Sequence, residues 1–203
     1  IRYESQVCMA DYVREVLAND QKASLRLTLQ PATATGFSEL DKLLDGGLFP
    51  GLYLCCSRPG EGKTSFALQI ADAVSAQGVD VLLISMDMSR MELAAKSISR
   101  LSLLLDHTIA RNQAKTTRQV MDEFGRMTGE EWAQSSLSQA MQAYQQASGN
   151  LFVLEAATAL SPTDILRFIE LHTSTRHNRP VVILDSLQYV KSAETGQSDT
   201  ALT

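Results

Sequence analysis

The segment Ser57-Arg58-Pro59-Gly60-Glu61-Gly62-Lys63-Thr64 concentrates the residue types that hold a polyphosphate. A triphosphate needs several hydrogen-bond donors converging on one concave surface. Backbone N–H groups converge only where side chains stay clear and the chain curls tightly, which calls for Gly60 and Gly62. The segment leads into a helical pattern, and a helix N-terminus offers free N–H groups and the positive end of its dipole to an anion. Lys63 adds a point charge for the β- and γ-phosphates, and the Thr64 hydroxyl is a hard oxygen ligand for Mg²⁺. The spacing matches the last three positions of the P-loop pattern G-x-x-x-x-G-K-[ST], with Ser57 where the pattern has its first glycine. Arg58, Pro59, Gly60, Glu61, Gly62, Lys63, Thr64 and Ser65 are the expected nucleotide-binding set.

Such a loop needs acids from other strands. Asp185 ends the apolar run VVILD and is placed to hold Mg²⁺, through water, at the carboxyl end of a strand. Its plainer reading is an aspartate capping the next turn. Asp87 follows the apolar run VLLISM and would face the same crevice, as base or orienter of an attacking water. The alternative is an acid ahead of the helix that opens at Ser89. Gln188 is open between sensing a γ-phosphate and satisfying a backbone group. Arg58 is open between a phosphate, a partner subunit and solvent. His107, His172 and His177 are scattered and form no catalytic grouping.

These residues have to be positioned by alternating strands and helices. Leu52–Cys56, Val81–Met86, Leu151–Leu154 and Val181–Leu184 are short apolar runs that read as buried strands. Between them the spacing predicts helices over Phe37–Leu44, Lys63–Gln77, Ser89–Leu105, Glu131–Ala147 and Ser161 to about His172. Gly78 stops the second of these. Ser89 with Glu92, and Thr128 with Glu131, are capping-box pairs, and Ser161-Pro162-Thr163-Asp164 sets N-cap, N1 proline and N3 acid in order. His107 to Arg126 gives no clear signal. Buried strands alternating with amphipathic helices predict an α/β fold with a mainly parallel sheet covered on both faces. Met9 to Ala18 has helical apolar spacing, so residues 1–34 read as an N-terminal helix and linker arm and 35–203 as the core.

Composition sets the outer limits. The 203 residues are 44% hydrophobic and 20% charged, enough apolar material for a core, which excludes whole-chain disorder. A net charge of −5 gives no sign of a strongly basic nucleic-acid binder. No run of 18 apolar residues and no signal-peptide pattern is present, so no membrane partner and a cytoplasmic location are expected. Adjacent Cys55 and Cys56 are poor disulfide partners. Six of the eleven glycines fall between Gly36 and Gly62, which marks that window as needing unusual backbone freedom.

The motifs together resemble the RecA-like ATPase domain of DnaB-type replicative DNA helicases, over about Thr35 to Val190. Thr35-Gly-Phe-Ser-Glu-Leu-Asp41 resembles that family's opening motif. Arg58-Pro59 before Gly62-Lys63-Thr64 resembles its A-R-P-x-x-G-K-[ST] loop, which accounts for the missing first glycine. Ser85-Met-Asp87-Met-Ser89 resembles S-L-E-M, Glu131-Trp132 a D-W or E-W pair, Leu160-Ser-Pro-Thr-Asp164 the L-T-P-x-[DE] helix start, and Asp185-Ser-Leu-Gln188 the D-Y-L-Q Walker B region. The resemblance implies ATP and Mg²⁺ as cofactors, ATP sites between subunits of a homo-hexameric ring, and movement along single-stranded DNA. It makes Lys63 and Asp87 the catalytic pair, Thr64 and Asp185 the metal-side residues, and Met9 to Ala18 the helix that docks on a neighbouring subunit. Asp87 stands where the family has glutamate. The chain starts at Ile1 and stops soon after the Walker B strand, which reads as a fragment whose DNA-binding loops and arginine finger lie elsewhere. The remaining alternatives are a RecA/RadA/KaiC-like ATPase and a catalytically weak ATP-binding assembly or loader module, with a small-molecule kinase more distant.

Overall fold

The computed structural model describes residues 32–106, 114–128, 130–131, 135–156 and 159–191. In chain order the elements are α1 (Ser38–Leu43), α2 (Lys63–Ala76), β1 (Val81–Ser85), α3 (Arg90–Leu105), α4 (Thr117–Phe124), α5 (Ser138–Ala147), β2 (Leu151–Glu155), α6 (Pro162–Arg176), β3 (Val181–Asp185) and a 3-10 turn over Leu187–Tyr189. The strands form one parallel sheet in the order β2-β1-β3, with Ser85 opposite Glu155 on one side and Asp185 on the other. All five residues of β1 are buried, as a central strand flanked and covered on both faces must be.

Residue parity sorts the two faces. Val81, Leu83, Leu151, Val153, Val181 and Ile183 point to the side covered by α2 and α3. On the other side Phe152 meets His172 of α6 edge-on, with ring centroids 4.8 Å apart, and the Arg176 guanidinium lies 5.0 Å from the Phe152 centroid. A second apolar cluster, Ala95, Ile98, Val120, Leu137 and Ala140, holds α3, α4 and α5 together. Between α2 and α3, Ser97 Oγ donates to Asp72 Oδ2 at 2.6 Å and Arg100 joins it at 2.9 Å. Burial nevertheless holds the Asp72 carboxyl above the ordinary aspartate value.

The capping signals are realised. Ser89 and Glu92 close a reciprocal box at the start of α3, and Ser161 and Asp164 do so for α6 behind Pro162. Thr128 N and Oγ1 both donate to Glu131. Three expectations need correction. First, 52–56 is not a strand: it pairs with no strand among the described residues, and Leu52 and Leu54 are 97% and 74% exposed. Apolarity marks a segment as fit for a sheet but does not supply the neighbouring ladder that makes it one. Second, the helix expected over 131–147 is continuous only from Ser138, after a turn at 135–137. Third, the unclear stretch before Arg126 contains α4, opened by a Thr116–Gln119 capping box. The Met9 to Ala18 arm, Trp132 and residues 192–203 lie outside the described residues.

The opening motif is a backbone clasp. Thr35, fully buried, donates from both N and Oγ1 to Asp41 Oδ1 at 2.7 Å. Gly36 has φ +84°, and a Cβ there would come 2.6 Å from the Cβ of Ala73 on α2. The motif's glycine is therefore the point where this turn touches α2.

At the amino end of β1, Asp80 is 3% exposed and receives His172 Nε2 and Arg176 Nε at 3.3 Å and Asn178 Nδ2 at 3.4 Å. Arg176 above all holds its carboxyl below the ordinary value. This cluster fastens α6 to the start of β1. Asp80→Ala is expected to cost about 2 kcal/mol, because it removes a buried charged acceptor from His172, Arg176 and Asn178. A depressed carboxylate stabilises above its unfolded value and loses that contribution as pH falls through its folded value. The difference between variant and parent should therefore shrink below about pH 4 in denaturant titrations.

Candidate functional site

Helix α2 runs antiparallel to the strands. Leu68, near its start, packs with Leu83 and Ile183, whereas Ala71 and Val74 pack with Val81 and Val181 at the strands' amino ends. Lys63 therefore emerges over the carboxyl edge of the sheet, where Ser85 and Asp185 end their strands. This is the crevice where open parallel α/β sheets bind ligands.

The loop before α2 is shaped by its glycines. Gly60 and Gly62 have φ of +81° and +91°, and a Cβ at either would meet open space, so the requirement is conformational and not spatial. Glu61 Oε2 accepts from Arg58 N at 3.0 Å and closes the curl. The Lys63 ammonium donates to the carbonyls of Ser57 and Arg58 at 3.1 Å each. Residues 57–62 and Ser65 are exposed, and Lys63 and Thr64 are half-buried. Gly62 caps α2 in the left-handed conformation, without a side-chain cap and without an acid in the first turn. Helices α3, α4 and α6 each carry a capping box, whereas α1 and α5 also lack a side-chain cap, so what sets α2 apart is the glycine-curled loop and Lys63 at its start. The N–H groups that begin α2 are thus left for an anion to satisfy.

Asp87 is exposed in the turn after β1. Ser85 Oγ donates to Met88 O at 2.6 Å and accepts from Met88 N at 3.2 Å, folding this turn onto the strand end. Met86 N donates to Asp185 O at 2.8 Å, tying the turn to β3. Asp185, half-buried, closes β3, and Gln188 is exposed in the 3-10 turn that follows. The fold therefore gathers the loop, Asp87 and Asp185 at one edge. The pair Thr64 and Asp185 offers hydroxyl and carboxylate oxygens, a donor set that fits Mg²⁺. Among the described residues no group of three or more His, Cys, Asp or Glu is arranged to hold a metal by itself. Cys55 and Cys56 are exposed free thiols.

Sequence reasoning missed two residues here. Lys96 Nζ lies 3.4 Å from Ser65 Oγ, bringing a second cation to the first turn of α2. It lines an open cleft of about 450 Å³ with Leu68, Arg100 and Lys115. One lysine on a helix face carries no sequence signal that would have set it apart. Glu155 ends LFVLE as Asp185 ends VVILD, so the same strand-then-acid signature could have found it. Its carboxylate accepts from Arg90 N and lies 3.5 Å from Arg90 Nε.

A doubly covered parallel sheet with a glycine-curled loop running into an uncapped helix at its carboxyl edge is the RecA-like form of the P-loop α/β fold. Within that class, the chain belongs to the DnaB-like helicase C-terminal domain family, whose description matches residues 32–202. It is 32% identical over 107 residues to the replicative DNA helicase DnaB of Geobacillus stearothermophilus, covering 52% of this chain and 22% of that protein. It is 35% identical over 97 residues to the DNA repair protein RadA of Haemophilus influenzae, covering 47% of this chain and 21% of that protein. A solved DnaB-like replicative helicase, determined for its interactions with primase, superposes with a TM-score of 0.66 at 22% identity, covering 96% of this chain and 42% of that one. The chain spans between about a fifth and a third of the length of the curated relatives it matches. Among the described residues, no helix is long and apolar enough to cross a membrane.

Proposed function

We propose that this chain is the ATP-binding and hydrolysing motor domain of a hexameric replicative DNA helicase that moves along single-stranded DNA and parts the duplex. The observation that carries the reading is the start of α2: no cap and no first-turn acid, but Lys63 and a glycine-curled loop, facing the edge that holds Asp87 and Asp185. Membership of the DnaB-like family supports it. In this reading residues 58–65 wrap the phosphates, with backbone N–H groups on the oxygens and Lys63 on the β- and γ-phosphates. Thr64 and Asp185 would hold Mg²⁺, which when bound offsets charge developing on the phosphates. Asp87 orients the attacking water and accepts its proton. In the same reading Arg58 and Gln188, both exposed, would respond to the γ-phosphate or to a neighbouring subunit.

The test is ATP turnover by the intact protein with and without single-stranded DNA. Stimulation by single strands is expected, and turnover indifferent to DNA would overturn the motor reading. A second check concerns Lys96. If it faces the bound phosphates, Lys96→Ala weakens nucleotide affinity about 10-fold, the worth of one charge-assisted contact. Titration of a fluorescent ATP analogue reads this directly, and unchanged affinity would remove Lys96 from the site.

A further inference from the structure

Glu155 lies beyond the loop and the two aspartates, yet it acts on the same edge. We infer that Glu155 is a positioning residue for Asp87, holding the start of α3 so that the turn before it presents the carboxylate in one place. The inference rests on the reading of Asp87 as the acid that handles the attacking water.

The register supplies the geometry. Glu155 stands opposite Ser85 in the parallel β1–β2 pair, and its parity with Leu151 and Val153 turns it to the face covered by α2 and α3. From there its carboxylate takes the backbone N–H of Arg90, the first residue of α3, across a sequence separation of 65 residues. That N–H is one of the donors a helix leaves without an internal partner. The Ser89–Glu92 box already completes the local cap, so the contact from Glu155 adds a tether from α3 to the next strand. The Arg90 guanidinium at 3.5 Å reinforces it, and the bond from Arg90 N keeps Glu155 ionised below the ordinary glutamate value.

The turn is thereby fastened at both ends. Upstream, Met86 N is bonded to Asp185 O and Ser85 Oγ grips Met88. Downstream, Glu155 holds Arg90. Between Met86 and Ser89, only Asp87 is exposed. An aspartate has one methylene fewer than a glutamate, so its carboxylate has less reach with which to correct a misplaced backbone. The shorter acid makes the fastening more consequential, since displacement of a reacting group by about 1 Å costs on the order of 100-fold in rate.

The experiment measures kcat for ATP and affinity for a fluorescent ATP analogue in the intact protein carrying Glu155→Ala, Glu155→Gln, Asp87→Ala, and Glu155→Ala with Asp87→Ala. Glu155→Ala is expected to lower kcat about 10-fold while affinity stays within about 2-fold, and Glu155→Gln, which keeps an acceptor for Arg90 N, recovers most of the loss. In the Asp87→Ala background, Glu155→Ala should lower kcat no further, because the group it positions is gone. A loss that persists undiminished in that background, or that appears equally in affinity, would mean that Glu155 is only a structural cap. If Asp87→Ala depresses turnover and Glu155→Ala does not, the positioning role fails while the catalytic reading stands. If Asp87→Ala leaves turnover unchanged, both fail. Should Glu155→Ala not fold, Glu155→Gln against Glu155→Asp carries the same comparison, with the shortened Glu155→Asp expected to lose kcat and Glu155→Gln to keep it.

Discussion

Lys63→Ala should reduce ATP turnover by about 1,000-fold, the scale of loss when a preorganised charge aimed at the transferring phosphoryl group is removed. The side chain spans the loop it belongs to, and its ammonium rests on the carbonyls of Ser57 and Arg58. Those oxygens tie it back to the loop that precedes α2, whose start has no side-chain cap at Gly62 and no first-turn acid. Neutralising it removes the cation carried by the first residue of α2, so nucleotide affinity should fall along with kcat. Lys63→Arg should not rescue, because a planar fork cannot replace a compact ammonium at one point of the cradle. Residues 57–62 are exposed, so thermal stability without nucleotide should stay close to the parent's. Steady-state kinetics with nucleotide titration checks all three statements, and turnover within about 10-fold of the parent would remove Lys63 from the mechanism.

Asp87→Ala is expected to lower kcat by about 100- to 1,000-fold, the range for removing a general base, with affinity changed no more than about 3-fold. The separation follows from placement: Asp87 sits in the turn after β1 and not in the 57–64 loop, so in the proposed reading it would act on the water and not on ground-state binding. Asp87→Glu should retain turnover, since the turn is fixed by Ser85 and Met88 and a longer side chain keeps a carboxylate in the same crevice. Asp87→Asn, which can orient a water but not take its proton, should resemble Ala in kcat. Single-turnover measurements at saturating ATP distinguish these cases. An Asp87→Ala variant turning over like the parent would leave the site as a binding module.

Much of this was legible in the residues. VLLIS and VVILD announce their strands by unbroken apolarity, and Ser89, Ser161 and Pro162 announce their helices by local capping chemistry. The Gly60-Glu-Gly-Lys-Thr64 run announces a tight curl into a helix, because Gly60 and Gly62 take the positive φ that few residue types allow. The same logic failed for 52–56, whose apolar residues meet no partner strand among the described residues. It also passed over Lys96 and Glu155, because each matters through a neighbour distant in sequence: Ser65 is 31 residues from Lys96, and Arg90 is 65 from Glu155.

Sequence alone determined what is local: the type and order of most elements, the caps, and the glycine-curled loop that leads into α2. These depend on side-chain period and on interactions within a few residues. Tertiary structure decided which strands pair, that Asp185 and Glu155 flank Ser85 at one edge, that α2 runs back so its open end meets that edge, and how the Asp87 turn is fastened. Those arrangements are set by ladder register and helix packing between segments far apart in the chain, and no spacing along the chain encodes them.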